Sequence, residues 1–298
     1  MGVALLVVVA VLLFGVLVVE VAARWSRVSD VPLFNVDKSF GHMPKPTQSG
    51  RFRRRYDWCF NDRGMGVADP FDAAAPDGLV LVGDSIVFGQ LKMRQADRLG
   101  PVLGALTGAA VWPIASPGWS LQNALAFLET TPDLVASARE IVLVLNSGDF
   151  KGANSWGSEA NHPRFRHASA VYLVAYKLAR KTRLFKPSTE FKVAHRDWQP
   201  MLAALAAATT ARFVVALYPH KAETEDRGLA QTALLSFGAS ISEILGPEAV
   251  IIDIGADPEW TPAFYVDGVH PNAAGTRRLA KVIAAARNRQ MEQSSLAA

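Results

Sequence analysis

Cysteine is nearly absent from this chain: Cys59 is the only one among 298 residues. No intramolecular disulfide can form, and one thiol leaves the redox compartment undecided. The six histidines (42, 162, 167, 195, 220 and 270) contain neither a His-x-His nor a His-Glu-x-x-His spacing. With one thiolate beside them, no zinc site is built from local sequence, and no metal is expected. Charged residues are sparse at 19 %, and the net charge of +4 comes with no nucleic-acid-binding motif, so no nucleic-acid partner is expected. Internal repeats are absent. Basic residues are also missing from the extreme N-terminus, where only Met1 and Gly2 precede a long apolar stretch. A secretory signal normally carries positive charge there.

That stretch is the first thing present in excess. Val3 to Val19 is uninterrupted apolar residues and glycine, followed by Glu20 and Val21-Ala22-Ala23. A helix of this length crosses the roughly 30 Å hydrocarbon of a bilayer. The sequence predicts an uncleaved transmembrane anchor over residues 1–23, inserted through 3–23; the rival is a signal peptide cut at the small residues 21–23. Orientation stays open. Arg24 and Arg27 follow the span, so positive-inside logic argues for a cytoplasmic bulk, with almost nothing on the other side to compare. A further basic cluster, Arg51, Arg53, Arg54 and Arg55, reads either as a solvated face or as a surface for anionic headgroups or an acidic polymer.

Residues 24–50 are rich in Pro, Gly, Ser and charge and read as a tether. A domain over 51–292 follows, opening with a lead-in β-element at 51–77, and 293–298 reads as a tail. Strands are predicted at 79–82, 110–115, 141–145, 213–218 and 250–254, each a short continuous apolar run of the kind buried on both faces in parallel sheets. Helical periodicity lies near 121–128, 167–183, 198–209, 229–245 and 273–288. This βαβα alternation argues an α/β fold, a three-layer α/β/α sandwich around a central five-stranded parallel sheet. Residues 151–200 exceed a normal crossover and read as an insertion near the site mouth.

Ligands in open parallel sheets bind beyond the carboxyl ends of the strands. Gly83-Asp84-Ser85 follows the first strand, Gly118 the second, Asn146 to Asp149 the third, and Asp267-Gly268-Val269-His270 the fifth. Ser85, Asp267 and His270 supply a nucleophile, an orienting carboxylate and a base. The N–H of Ser85 at a helix start and that of Gly118, where glycine lets the backbone come close, are candidate oxyanion donors. Asn272 reads as the N-cap of the last helix. Tyr218-Pro219-His220-Lys221 ends the fourth strand at the same edge and reads either as part of an acyl-acceptor pocket or as a plain turn.

These residues resemble the SGNH (GDSL) hydrolase superfamily over about 78–285: Gly83-Asp84-Ser85 matches its first block, Gly118 the glycine block, and Asp267 with His270 the last. The resemblance implies a flavodoxin-like fold, a serine nucleophile, ester substrates and no cofactor. For anchored members it implies work outside the cytoplasm on acylated glycans or related polymers. One block departs. Where the family has Gly-x-Asn-Asp, this chain has Asn146-Ser147-Gly148-Asp149. The third oxyanion donor is then Asn146, or the Gly148 N–H, or missing, and Asp149 reads as a loop brace.

The function expected is a serine ester hydrolase deacetylating a carbohydrate or envelope polymer, on a single-pass anchor in the cytoplasmic membrane with an extracytoplasmic domain. Two rivals stand beside it. One is an O-acyltransferase using the same triad, with a membrane acyltransferase partner as donor. The other is a weakly catalytic glycan-binding module presenting Trp112, Trp119 and Trp156.

Overall fold

The computed structural model describes residues 2–75, 77–181, 188 and 190–297. Helix α1 (Gly2–Trp25) has no buried residue and a mean hydropathy of 3.2 over its most apolar window. At 1.5 Å per residue it is about 36 Å long, enough to cross a membrane. Two small antiparallel hairpins follow, β1 (Phe34–Asp37) with β2 (Gly41–Pro44) and β3 (Gln48–Phe52) with β4 (Tyr56–Phe60).

Five parallel strands form the central sheet: β5 (Leu79–Gly83), β6 (Val111–Ala115), β7 (Glu140–Leu145), β8 (Arg212–Leu217) and β9 (Val250–Asp253). Their spatial order is β6-β5-β7-β8-β9, the 2-1-3-4-5 order of flavodoxin-like sheets. All five lie where the apolar runs predict them, to within a residue. The pleat splits β5 between two cores. Val80 and Val82 face one side, and Leu79 and Leu81 the other. Pro113 sits on the edge strand β6, where its missing N–H costs no ladder bond.

The helices in chain order are α2 (Ser85–Phe88), α3 (Leu99–Thr107), α4 (Leu121–Glu129), α5 (Pro132–Ser137), α6 (Ala170–Lys181), α7 (Trp198–Ala207), α8 (Lys221–Glu225), α9 (Arg227–Ala230), α10 (Ser236–Leu245) and α11 (Ala273–Ala297). α4, α5, α7 and α10 cover the face that includes Val80 and Val82, and α3 and α11 cover the other. α11 starts at the expected cap, where Asn272 Oδ1 accepts from the N–H groups of Ala274 and Gly275 at 3.0 Å. It then runs through the expected tail to Ala297.

The expected tether is the main departure. Residues 34–44 form β1 and β2, which are packed down: Phe34, His42 and Met43 are all buried. The Phe34 N–H donates to the Pro163 carbonyl at 2.9 Å, joining this hairpin to the 151–200 segment. A Pro/Gly-rich composition describes a loop's backbone, whereas these widely spaced large side chains find their partners only in the folded molecule.

Candidate active site

The switch point of the strand order lies between β5 and β7, where the first connection runs to one side of the sheet and the second to the other. Asp84 and Ser85 leave the end of β5 there. The Asp84 carboxylate caps α2, accepting from the Ile86 N–H at 2.8 Å, which fixes the turn that presents Ser85.

Ser85 Oγ lies 2.9 Å from His270 Nε2. His270 Nδ1 donates to Asp267 Oδ2 at 2.8 Å, so Nε2 is the free acceptor facing the serine hydroxyl. Burial pushes the Asp267 carboxyl up, but the N–H groups of His270 and Val269 and the His270 ring outweigh it, leaving the acid below its usual range. Both N–H bonds are short, 2.8 Å from His270 and 2.9 Å from Val269. They tie the carboxylate into its own loop.

That loop is held from behind by the residues ending β8. Tyr218 Oη donates to the Val269 carbonyl at 2.8 Å, and the Lys221 N–H donates to the Gly268 carbonyl at 2.9 Å. Tyr265 Oη donates to the Pro219 carbonyl. The stretch 218–221 therefore positions the His270 loop from beneath it. Sequence reasoning located these residues at the right edge without this role.

Gly118 has φ +77°, a conformation that glycine alone adopts without strain, and its N–H meets no acceptor among the described residues; neither does that of Ser85. Both residues line one cavity of about 710 Å³ with His270. The Gly118 loop is propped by His42, whose Nε2 donates to the Pro117 carbonyl at 2.9 Å. His42 stacks on His162, ring centroids 3.7 Å apart. Burial lowers the His42 pKa to about 4 and takes His162 well below its ordinary value, so both rings are neutral near pH 7. Neither histidine carried a sequence signal, because the segments holding them meet only in the fold.

Asn146 and Gly148 are not presented as oxyanion donors. The two hydrogens of Asn146 Nδ2 go to Asp149 Oδ2 at 2.9 Å and Asp84 Oδ2 at 3.2 Å. Its Oδ1 accepts from the Gly148 N–H at 2.8 Å and from His220 Nε2 at 2.9 Å. Asn146 is thus a fully used brace, and the Gly148 N–H is consumed by it. A Cβ on residue 148 would lie 2.9 Å from Asn146 Oδ1, so the asparagine of the SGNH pattern does not fit here without displacing the brace. Asp149 accepts from the Asn146 N–H at 2.7 Å, in keeping with a loop brace. Burial raises the pKa of both Asp84 and Asp149, and the nearby Asp84 charge raises Asp149 further.

Trp112, Trp119 and Trp156 are buried, at 5 %, 2 % and 3 % exposure, and offer no platform to a sugar ring. The 151–200 segment supplies Ala160, Asn161, His162, Lys177 and Arg180 to the wall of the cavity that Ser85 and His270 line. A second cavity, about 670 Å³ beside β6 and α3, is lined by no serine, histidine or cysteine. Among the described residues no cluster of three or more His, Cys, Asp or Glu side chains is spaced to hold a metal ion.

No protein-family model and no curated protein sequence matches the chain. Similar solved structures include the esterase EstA from Pseudoalteromonas sp. (14 % identity, TM-score 0.44), covering 72 % of this chain and 99 % of that one. The acetylxylan esterase Axe2 from Geobacillus stearothermophilus is similar at 14 % identity and a TM-score of 0.43, covering 72 % and 96 %. A member of the lipolytic G-D-S-L family from Veillonella parvula is similar at 16 % identity and a TM-score of 0.41, covering 69 % of this chain and 94 % of that one.

Proposed function

We propose that this chain is a serine ester hydrolase working through an acyl-enzyme, with an acylated carbohydrate or envelope polymer as substrate. The observation that carries the reading is the continuous Ser85–His270–Asp267 hydrogen-bond chain at the switch point of the sheet, beside two N–H donors without acceptors.

Ser85 Oγ attacks the ester carbonyl carbon as His270 Nε2 takes its proton, and the Asp267 carboxylate stabilises the imidazolium that forms. The carbonyl oxygen becomes an oxyanion between the Ser85 and Gly118 N–H groups. On collapse the C–O bond to the alcohol breaks, and His270 returns the proton to the leaving oxygen. Water then repeats the sequence on the acyl-serine: His270 accepts its proton, the acid is released, and Ser85 Oγ is reprotonated. Two oxyanion donors in place of three favour a modest kcat, since one such donor is worth about 10²- to 10³-fold.

The anchor is retained in this reading. The Glu20 carboxylate accepts from Ser169 Oγ at 2.8 Å and from the N–H groups of Ala170 and Val171 at 2.9 and 3.0 Å, so cleavage after Ala23 would strip the start of α6 of its acceptors. Arg54 stacks on Trp25 with its guanidinium 4.3 Å from the ring centroid, putting the basic hairpin tip beside the end of α1. An aromatic and basic collar of this kind suits the headgroup layer.

The test uses full-length protein in detergent with a short-chain aryl acetate. Ser85→Ala is expected to lower kcat by on the order of 10⁴-fold or more, and to abolish fluorophosphonate labelling, with the melting transition retained. Activity or labelling that survives in Ser85→Ala sinks the assignment.

A further inference from the structure

Helix α6 contributes to the wall of the cavity that Ser85 also lines. Its start is pinned to α1 by Glu20 and by Arg24, which donates to the Ala168 carbonyl. Residues 170, 173, 177 and 180 recur at helical spacing on one face. Ala170 and Leu173 are buried there, whereas Lys177 and Arg180 line the cavity with Ser85 and His270. The other face leaves Tyr172, Val174 and Leu178 exposed.

Lys177 is the cation on that wall without an acid beside it among the described residues. Among the described residues the cavity's polar lining is Ser85, Asn161, His162, Lys177, Arg180 and His270, with no carboxylate. Lys177 is partly buried and has no hydrogen-bond or ion-pair acceptor among the described residues. Burial pushes its ammonium below the usual lysine range, and its charge helps to keep the neighbouring His162 neutral. A cation removed from water without a partner is costly, and a ligand anion that reaches it recovers that cost as a charge-assisted hydrogen bond.

We propose that Lys177 forms an anion subsite of this cavity, so that the substrate bears a phosphate or carboxylate group close to its ester. The proposal rests on Ser85 acting as an ester-hydrolase nucleophile. The anion has two possible sources, a lipid headgroup at the bilayer to which α1 ties α6, or an acidic group on a soluble polymer.

The experiment uses full-length protein in phosphatidylcholine nanodiscs and compares phenyl acetate with 4-acetoxyphenyl phosphate. The wild-type kcat/KM ratio of anionic to neutral ester is expected to be about tenfold or more, a difference of about 1.4 kcal/mol. Lys177→Gln should bring the ratio close to one through KM, Lys177→Glu should take it below one, and Lys177→Arg should retain it. A wild-type ratio near one, or a ratio unmoved by these substitutions, overturns the subsite. Equilibrium binding of 4-acetoxyphenyl phosphate and phenyl acetate to Ser85→Ala protein separates the two claims. Lys177-dependent preference for the phosphate without turnover by the wild type keeps the subsite and removes the hydrolase reading. Turnover of both esters at equal efficiency does the reverse. Headgroup-acetylated phosphatidylglycerol, presented in the nanodisc, identifies the source: faster turnover than the soluble phosphate places the anion on a lipid, and slower turnover places it on a soluble polymer.

Discussion

Asn146 shows how one side chain can read as chemistry and serve as architecture. Its amide has two donor hydrogens and one carbonyl oxygen, and Asp84, Asp149, Gly148 and His220 engage all of them. Position in the chain, just past β7, is right for an oxyanion donor, and the residue type is right too. What redirects it is the arrival of two buried carboxylates, each of which needs a donor. Asn146→Ala should therefore act first on stability, costing about 2–4 kcal/mol as those acids lose their partner. Urea unfolding measures it. A variant of unchanged stability whose kcat falls about 10²-fold would instead return Asn146 to the oxyanion hole.

At the scale of elements, the β1–β2 hairpin and the Gly118 loop depend on each other through His42. The His42 and His162 rings are buried neutral, whereas unfolded histidine protonates near pH 6.5. Between pH 6.5 and about 4 the unfolded chain binds protons that the native His42 refuses, so its contribution is complete above pH 6.5 and is lost as pH falls through that window. A shift from 6.5 to about 4 corresponds to roughly 3 kcal/mol for His42. The raised Asp84 and Asp149 push in the opposite direction, favouring the native state on acidification. A difference measurement isolates the histidine. Relative to His42→Gln, whose amide can still donate to the Pro117 carbonyl and never charges, the wild type should lose melting temperature steadily from pH 6.5 to 4. Parallel curves over that range would mean that His42 titrates normally in the fold.

For the whole molecule, the proposed anchor makes the side of the membrane a testable prediction. The expectation drawn from the sequence resemblance is a domain outside the cytoplasm, whereas Arg24 and Arg27 after the span argue the other way. A C-terminal alkaline phosphatase fusion should be active in intact cells, and a well-expressed but inactive fusion would place Ser85 in the cytoplasm. The same scale shows where local reading works. The five sheet strands were legible because parallel strands are buried on both faces and must be apolar without interruption, and the serine, glycine and histidine turns could be placed because each follows such a strand. Helix α3 was not among the expected helices: Gly100, Pro101 and Gly104 weaken helical propensity, yet a Cβ on Gly100 would stand 2.4 Å from Pro113 Cγ, so close helix–strand packing dictates that glycine. The segment 34–44 was hidden for a related reason, since Phe34, His42 and Met43 are buried by partners far away in the chain. Periodicity and strand-end position are local properties, carried by neighbours in sequence. The duty of Asn146, the pairing of His42 with His162, and the charged wall on α6 depend on which distant groups share a low-dielectric space, and that is settled only when the chain has closed around them.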